Sequence, residues 1–133
     1  MIIGIDPGQN TGIAMCDGGK LINLVTSNFW GAIECIDKYP LAFFIVESPN
    51  TKSVWHNRAK SVKTIQRTGV NVGSCLREAE LIIDYLNIKN VKYKSVHPSG
   101  KINAAMFKKI TGFDGRTNQH TRDAGMMAFM GFK

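Results

Sequence analysis

Six consecutive apolar residues, Leu41-Ala42-Phe43-Phe44-Ile45-Val46, run directly into an acid, Glu47, and then into the chain-breaking Ser48-Pro49-Asn50. A strand with one wet face alternates apolar and polar residues, so an unbroken run of strand length marks a strand covered on both faces. Such strands sit in the middle of an α/β sheet. Met1 to Asp6 has the same character. It is a short apolar strand that also ends on an acid, and Asp6-Pro7-Gly8 is a turn signal, because Pro fixes φ and Gly tolerates positive φ.

The remaining elements are placed around these two strands. Thr11 to Cys16 and Leu21 to Thr26 read as strands separated by the hairpin signal Asp17-Gly18-Gly19. Together with the first strand they predict an antiparallel meander. Phe29 to Lys38 has apolar residues near helical period at Phe29, Ile33 and Ile36, and Tyr39-Pro40 stops it. Asn71 to Leu86 predicts a long helix with Val72, Leu76, Ala79, Ile83 and Leu86 on one face. Val91 to Val96 reads as a fifth strand, Lys101 to Ile110 as a helix after Pro98-Ser99-Gly100, and Thr111 to Asn118 as a Gly-containing loop. His120 to Met130 is a last helix, apolar on most sides and therefore expected to pack on the sheet. The order β-β-β-α-β-α-β-α-α in 133 residues predicts one α/β domain over 1–133. Its sheet is expected to be mixed, with helices on both faces.

Composition narrows the function classes. No apolar run approaches the roughly 20 residues needed to span a bilayer. The start lacks a basic stretch and meets an acid at Asp6, which does not fit a signal peptide. The expected location is the cytoplasm. Cys16, Cys35 and Cys75 are far apart, with no CxxC pair, and read as reduced thiols. The net charge is +7 and the pI about 9.5. The positive charge is partly concentrated: no acid falls between Ser48 and Arg77, a stretch that holds Lys52, Arg58, Lys60, Lys63, Arg67 and Arg77. Such a segment suits phosphate contacts with a steep salt dependence. Trp55 and His56 lie within it, and either is suited to stack on an unpaired base.

Taken singly, each candidate site residue has an ordinary reading. Asp6 opens a turn, Glu47 meets water at a strand end, Asp123 sits in the first turn of a helix, and His120 is a polar residue at a helix start. Their combination is more informative. Asp6 and Glu47 end the two most apolar strands. If those strands are parallel neighbours, both carboxylates emerge at one edge of the sheet, where ligand sites of open α/β sheets gather. His120 and Asp123 are three residues apart and project from one face of their helix. Clustered carboxylates repel unless a cation neutralises them, so three acids with an imidazole predict a divalent metal. The oxygen-rich set suits Mg²⁺ or Mn²⁺, and the imidazole tilts toward Mn²⁺.

Ile3-Gly4-Ile5-Asp6-Pro7-Gly8 followed by Thr11-Gly12 resembles the first motif of RuvC-type Holliday junction resolvases. Ile45-Val46-Glu47 resembles their second motif. His120-Thr121-Arg122-Asp123-Ala124-Gly125-Met126-Met127-Ala128 is similar to their last, an acid or His three residues before an Asp, then Ala and an apolar helix. The motifs stand in family order from residue 1 to about 131. Thr68 to Leu86, with Gly73, resembles the long helix that forms the homodimer interface in that family. The chain is shorter than typical bacterial members, as viral resolvases often are.

The resemblance implies an RNase H-like fold with a mixed five-stranded sheet, its first three strands antiparallel and the last two parallel to the first. It implies a homodimeric, structure-specific DNA endonuclease that nicks opposed strands of a four-way junction, leaving 5′-phosphate and 3′-hydroxyl ends. Asp6, Glu47, His120 and Asp123 would hold two Mg²⁺ or Mn²⁺ ions, about 3.5–4 Å apart in such two-metal sites. Lys101 is expected at a helix start, within reach of the scissile phosphate. Two other classes stay open: a non-catalytic module that binds branched DNA, and a related nuclease acting on flaps, forks or RNA. An ATP-binding domain of the actin and sugar-kinase class shares the Asp-x-Gly and Thr pattern, but it needs a second nucleotide-binding domain.

Overall fold

A computed structural model describes residues 1–48 and 76–131 of the chain. Five strands form one sheet: β1 (Ile2–Asp6), β2 (Thr11–Asp17), β3 (Lys20–Ser27), β4 (Phe43–Glu47) and β5 (Tyr93–Val96). Among the described residues four helices accompany them: α1 (Phe29–Lys38), α2 (described over 76–88), α3 (Ala104–Thr111) and α4 (Gln119–Met130). The strand order is β3-β2-β1-β4-β5. β1, β2 and β3 are antiparallel in sequence, while β4 runs parallel to β1 and β5 parallel to β4. This is the mixed sheet that the order of elements predicts. Among the described residues no helix is long and apolar enough to cross a membrane.

Side-chain parity decides which residues face which helices. Ile3, Ile5, Ile13, Phe44 and Val46 point to one side, where Ala32, Cys35 and Ile36 of α1 and Ile82 and Leu86 of α2 close the main core. Tyr85 Oη of α2 also donates to Asp37 Oδ1 of α1 at 2.6 Å. Ala14 and Cys16 point to the other side and meet Ala124 and Ala128 of α4, with Ile2, Leu24 and Met127 at the margin. Both faces of β1 and β4 are thus covered, which is why their sequences are apolar without alternation.

The α4 side is built from small residues, and this sets how close the helix lies. A Cβ placed on Gly4 would stand 2.2 Å from the carbonyl oxygen of Ala124, and one on Gly12 would stand 2.1 Å from that of His120. Only glycine leaves room for the helix backbone at those two points. The fully buried Phe107 of α3 fills the space left on the helix's outer side at Gly125.

Some boundaries differ from the sequence expectation. α3 starts at Ala104 because the Asn103 side chain accepts from Met106 N at 2.8 Å and caps it; Lys101 therefore lies in the loop ahead of the helix. β5 starts at Tyr93, two residues later than expected. The buried stripe of α2 is Ala79, Ile82 and Leu86, with Ile83 only partly covered. Ile82, left out of the expected stripe, joins Leu86 in seating this helix on the sheet. Val72, at the start of that stripe, lies outside the described residues.

Candidate metal centre

Asp6 and Glu47 reach the same place for two reasons that act together. Ile5 pairs with Val46 in the parallel ladder, so the next residues, Asp6 and Glu47, leave adjacent strands side by side. Asp6 also shares the face of Ile2 and Gly4, and Glu47 that of Ile45, because side chains alternate along a strand. Both carboxyls therefore point to the α4 side. The turn after β1 is pinned by the fully buried Thr11, whose Oγ1 donates to Gly8 O at 3.1 Å.

α4 supplies the other two candidates. A capping box starts it: the Asn118 side chain accepts from Thr121 N at 3.0 Å, and Thr121 Oγ1 accepts from Asn118 N at 2.9 Å. The Asn118 amide also donates to Thr26 Oγ1 at 2.6 Å and so ties the helix start to β3. With the cap at Asn118 the first turn begins at Gln119 and contains no acid. Asp123 falls in the second turn, beyond the strongest effect of the helix dipole, which corrects the expectation of a first-turn carboxylate. The three-residue spacing still puts His120 and Asp123 on one face.

His120 Nδ1 stands 3.2 Å from Asp6 Oδ2. The neighbouring Asp6 and Glu47 carboxyls are close enough to hydrogen-bond when one of them is protonated. Asp123 Oδ1 accepts from Gln119 Nε2 at 2.8 Å, and its Oδ2 accepts from Lys101 Nζ. The structure thus brings Asp6, Glu47, His120, Asp123 and Lys101 to one sheet edge. Among the described residues no three His, Cys, Asp or Glu side chains already stand as a coordination set. In this arrangement Asp123 is turned to Lys101 and Gln119.

The electrostatics follow from burial. The Asp6 side chain is 8% exposed and that of Asp123 11%. Burial pushes the Asp6 carboxyl upward; Asp123 adds repulsion, while the bond from Glu47 and the charge of Lys101 pull it down. Glu47 is pushed up to about 8, first by burial, then by its hydrogen bond to Asp6 and by repulsion from Asp6 and Asp123, with Lys101 opposing. Both shifts disfavour full ionisation of the pair. A divalent cation would relieve that cost, since it lets both carboxylates ionise. On this chemistry the residues fit a hard divalent metal, with oxygen donors from Asp6, Glu47 and Asp123 and one nitrogen from His120.

Two contributors escape the motif reading. Gln119 lies four residues before Asp123 on the same helix, a spacing that sequence alone could have flagged. Arg122 is the second. Its Nε donates to Ile102 O at 3.0 Å, Nη1 to Thr117 Oγ1 at 3.1 Å and Nη2 to Gln119 Oε1 at 3.3 Å. It fastens the segment beside Lys101 to α4, and nothing in the local sequence announces that partner. The expected nucleic-acid contacts Lys52, Trp55, His56, Arg58, Lys60, Lys63 and Arg67 lie outside the described residues, as does Cys75. Cys16 and Cys35 are buried.

No protein-family model matches this chain, and no curated protein matches it. The likeness to RuvC-type resolvases rests on the three motifs.

Proposed function

We propose that this chain is a metal-dependent, structure-specific DNA endonuclease of the RNase H-like class that resolves four-way junctions. One observation carries the proposal. Two acids, Asp6 buried and Glu47 half-buried, leave the ends of adjacent parallel strands side by side, and a helix packed on the same face aims an imidazole at Asp6, with Asp123 three residues further along. A structural role alone gives no reason to gather three acids in a partly buried corner, where they repel.

Asp6, Glu47, His120 and Asp123 are the residues that would hold the metal. Bound there, divalent cations would supply Lewis acidity toward the scissile phosphate and a more acidic attacking water. The chain's own contribution is position. The ladder fixes the spacing of Asp6 and Glu47, and the close approach of α4 at Gly4 and Gly12 brings His120 to Asp6. Among the described residues of the site, Lys101 is the cation suited to meet a DNA phosphate. The +7 net charge favours a polyanionic substrate. Junction symmetry favours a homodimer. Its interface would use an outer side of the helix expected over 71–86, because Ile82 and Leu86 already seat its described part, α2, on its own sheet. The proposed location is the cytoplasm, that of a host cell if the chain is viral.

The test is incubation with a mobile four-way junction, a matched linear duplex and a flap, each in Mg²⁺ or Mn²⁺. The expected result is paired, symmetric nicks in the junction that disappear with Asp6→Asn, while junction binding persists. Equal cutting of all substrates would reduce the activity to that of a general nuclease. Tight junction binding without cleavage in either metal would instead identify a non-catalytic recruitment module.

A further inference from the structure

We propose that Lys101 is a tethered counter-cation that competes with a divalent metal ion for Asp123, so that cation uptake at this site is an exchange. The inference rests on the metal-dependent reading above and adds a control element to it. Lys101 Nζ donates to Asp123 Oδ2, and Gln119 Nε2 occupies Oδ1 at 2.8 Å. Both oxygens of the carboxylate are therefore already engaged. An ammonium is a compact charge that only donates hydrogen bonds. It repels a divalent ion, and the two cannot hold Oδ2 at the same time.

The contact is built so that one member can leave. Asp123 is 11% exposed and fixed on α4, whereas the Lys101 side chain is 62% exposed and can be received by water. The backbone beside it is held. Ile102 O accepts from Arg122 Nε, and that guanidinium also holds Thr117 and Gln119. Release therefore needs only rotation of the lysine side chain, with its anchor left in place over the site. The released ammonium stays tethered to the loop that Arg122 fastens to α4, the helix that carries His120 and Asp123. There it is available to a phosphate. Cation binding and exposure of the lysine are thus linked, and each must influence the other by the same factor.

The experiment uses the whole chain, Mn²⁺ as the only ligand, and free Mn²⁺ measured by electron paramagnetic resonance at low ionic strength. Lys101→Met keeps the stem and removes the charge. It is expected to bind Mn²⁺ about tenfold more tightly than the wild type, the scale of one partly exposed charge pair. Lys101→Arg keeps the charge and is expected to stay near the wild type. In parallel, acetylation of Lys101 relative to the exposed Lys20 is followed by mass spectrometry in the wild type and is expected to rise as Mn²⁺ is added. Equal or weaker Mn²⁺ binding by Lys101→Met, with the wild type binding Mn²⁺, would overturn the exchange and leave the metal site standing. Absence of Mn²⁺ binding by both proteins would overturn the exchange together with the metal reading.

Discussion

Gly12→Ala tests whether the close approach of α4 to the sheet builds the candidate site. The added Cβ would stand 2.1 Å from His120 O, 2.4 Å from its carbonyl carbon and 3.0 Å from Thr121 N. All three are backbone atoms of the first turn of α4, so no side chain can swing away. Relief to ordinary contact at roughly 3.5 Å requires that turn to retreat by about 1.4 Å. The turn is held by the capping box and by the Asn118–Thr26 bond at 2.6 Å, which would have to stretch with it. Overpacking of this kind costs about 1–3 kcal/mol, and a clash with backbone belongs at the upper end. The lower entropy of the unfolded alanine chain offsets about 0.4–1 kcal/mol of this. A net loss of about 2 kcal/mol lowers the melting temperature by roughly 6–10 °C for a domain of this size.

The same retreat carries His120 Nδ1 away from Asp6 Oδ2, now 3.2 Å apart, and beyond hydrogen-bonding distance. Thermal melting and the His120–Asp6 distance in a crystal structure of Gly12→Ala therefore report the two consequences separately. Gly100→Ala is the control, since a Cβ there meets nothing within 4 Å. Gly4→Ala, 2.2 Å from Ala124 O, pushes on the same helix. The double variant with Gly12→Ala should lose less than the sum of the two, because one displacement relieves both clashes. A Gly12→Ala protein that melts within about 1 °C of the wild type, with the His120–Asp6 contact kept, would refute the idea that glycine at this position sets the site.

The Glu47 carboxyl, raised to about 8 in the folded protein from 4.5, binds a proton that the unfolded chain has already released. Without added metal, stability from this group is therefore full below pH 4.5 and is lost as pH rises toward about 8. Glu47→Gln should flatten that fall by about 1–2 kcal/mol after allowance for solvent screening, read by urea unfolding in chelator across the same window. Mg²⁺ should stabilise the wild type increasingly over that window as the ion replaces the proton, and Glu47→Gln should weaken the effect; a melting shift independent of pH would contradict proton–metal exchange. Asn118→Ala removes the α4 cap and is expected to cost about 1–2 kcal/mol in urea unfolding; an unchanged midpoint would show that the capping box carries little of the helix's stability.

Several features of the site were legible in the sequence because they depend on local periodicity. The unbroken apolar run into Glu47 and the apolar strand into Asp6 place an acid at each strand end. The spacing of His120 and Asp123 puts them on one helical face whatever the helix packs against. The Asn118–Thr121 capping pair is equally local, yet the expected helix began only at His120. Ile82 escaped the expected stripe of α2 because several registers of that apolar segment look alike until a sheet selects one. Lys101 was expected at a helix start, and only the competition with Asn103 as a cap moves it into the loop.

The sequence by itself determined which residues end strands and which share a helix face, because backbone geometry within a few residues is enough for that. The pairing of β1 with β4, the shared face of Asp6 and Glu47, and the mutual perturbation of their carboxyls belong to the tertiary structure. They depend on ladder register and on the removal of water from carboxyls that lie 41 positions apart in the chain. The fold also decided how His120 and Asp123 differ. One meets Asp6 because Gly12 lets the helix close in, and the other meets Lys101 because Arg122 fastens a distant loop beside it. Those outcomes turn on distances of an ångström between backbones, and no residue pattern along the chain encodes them directly.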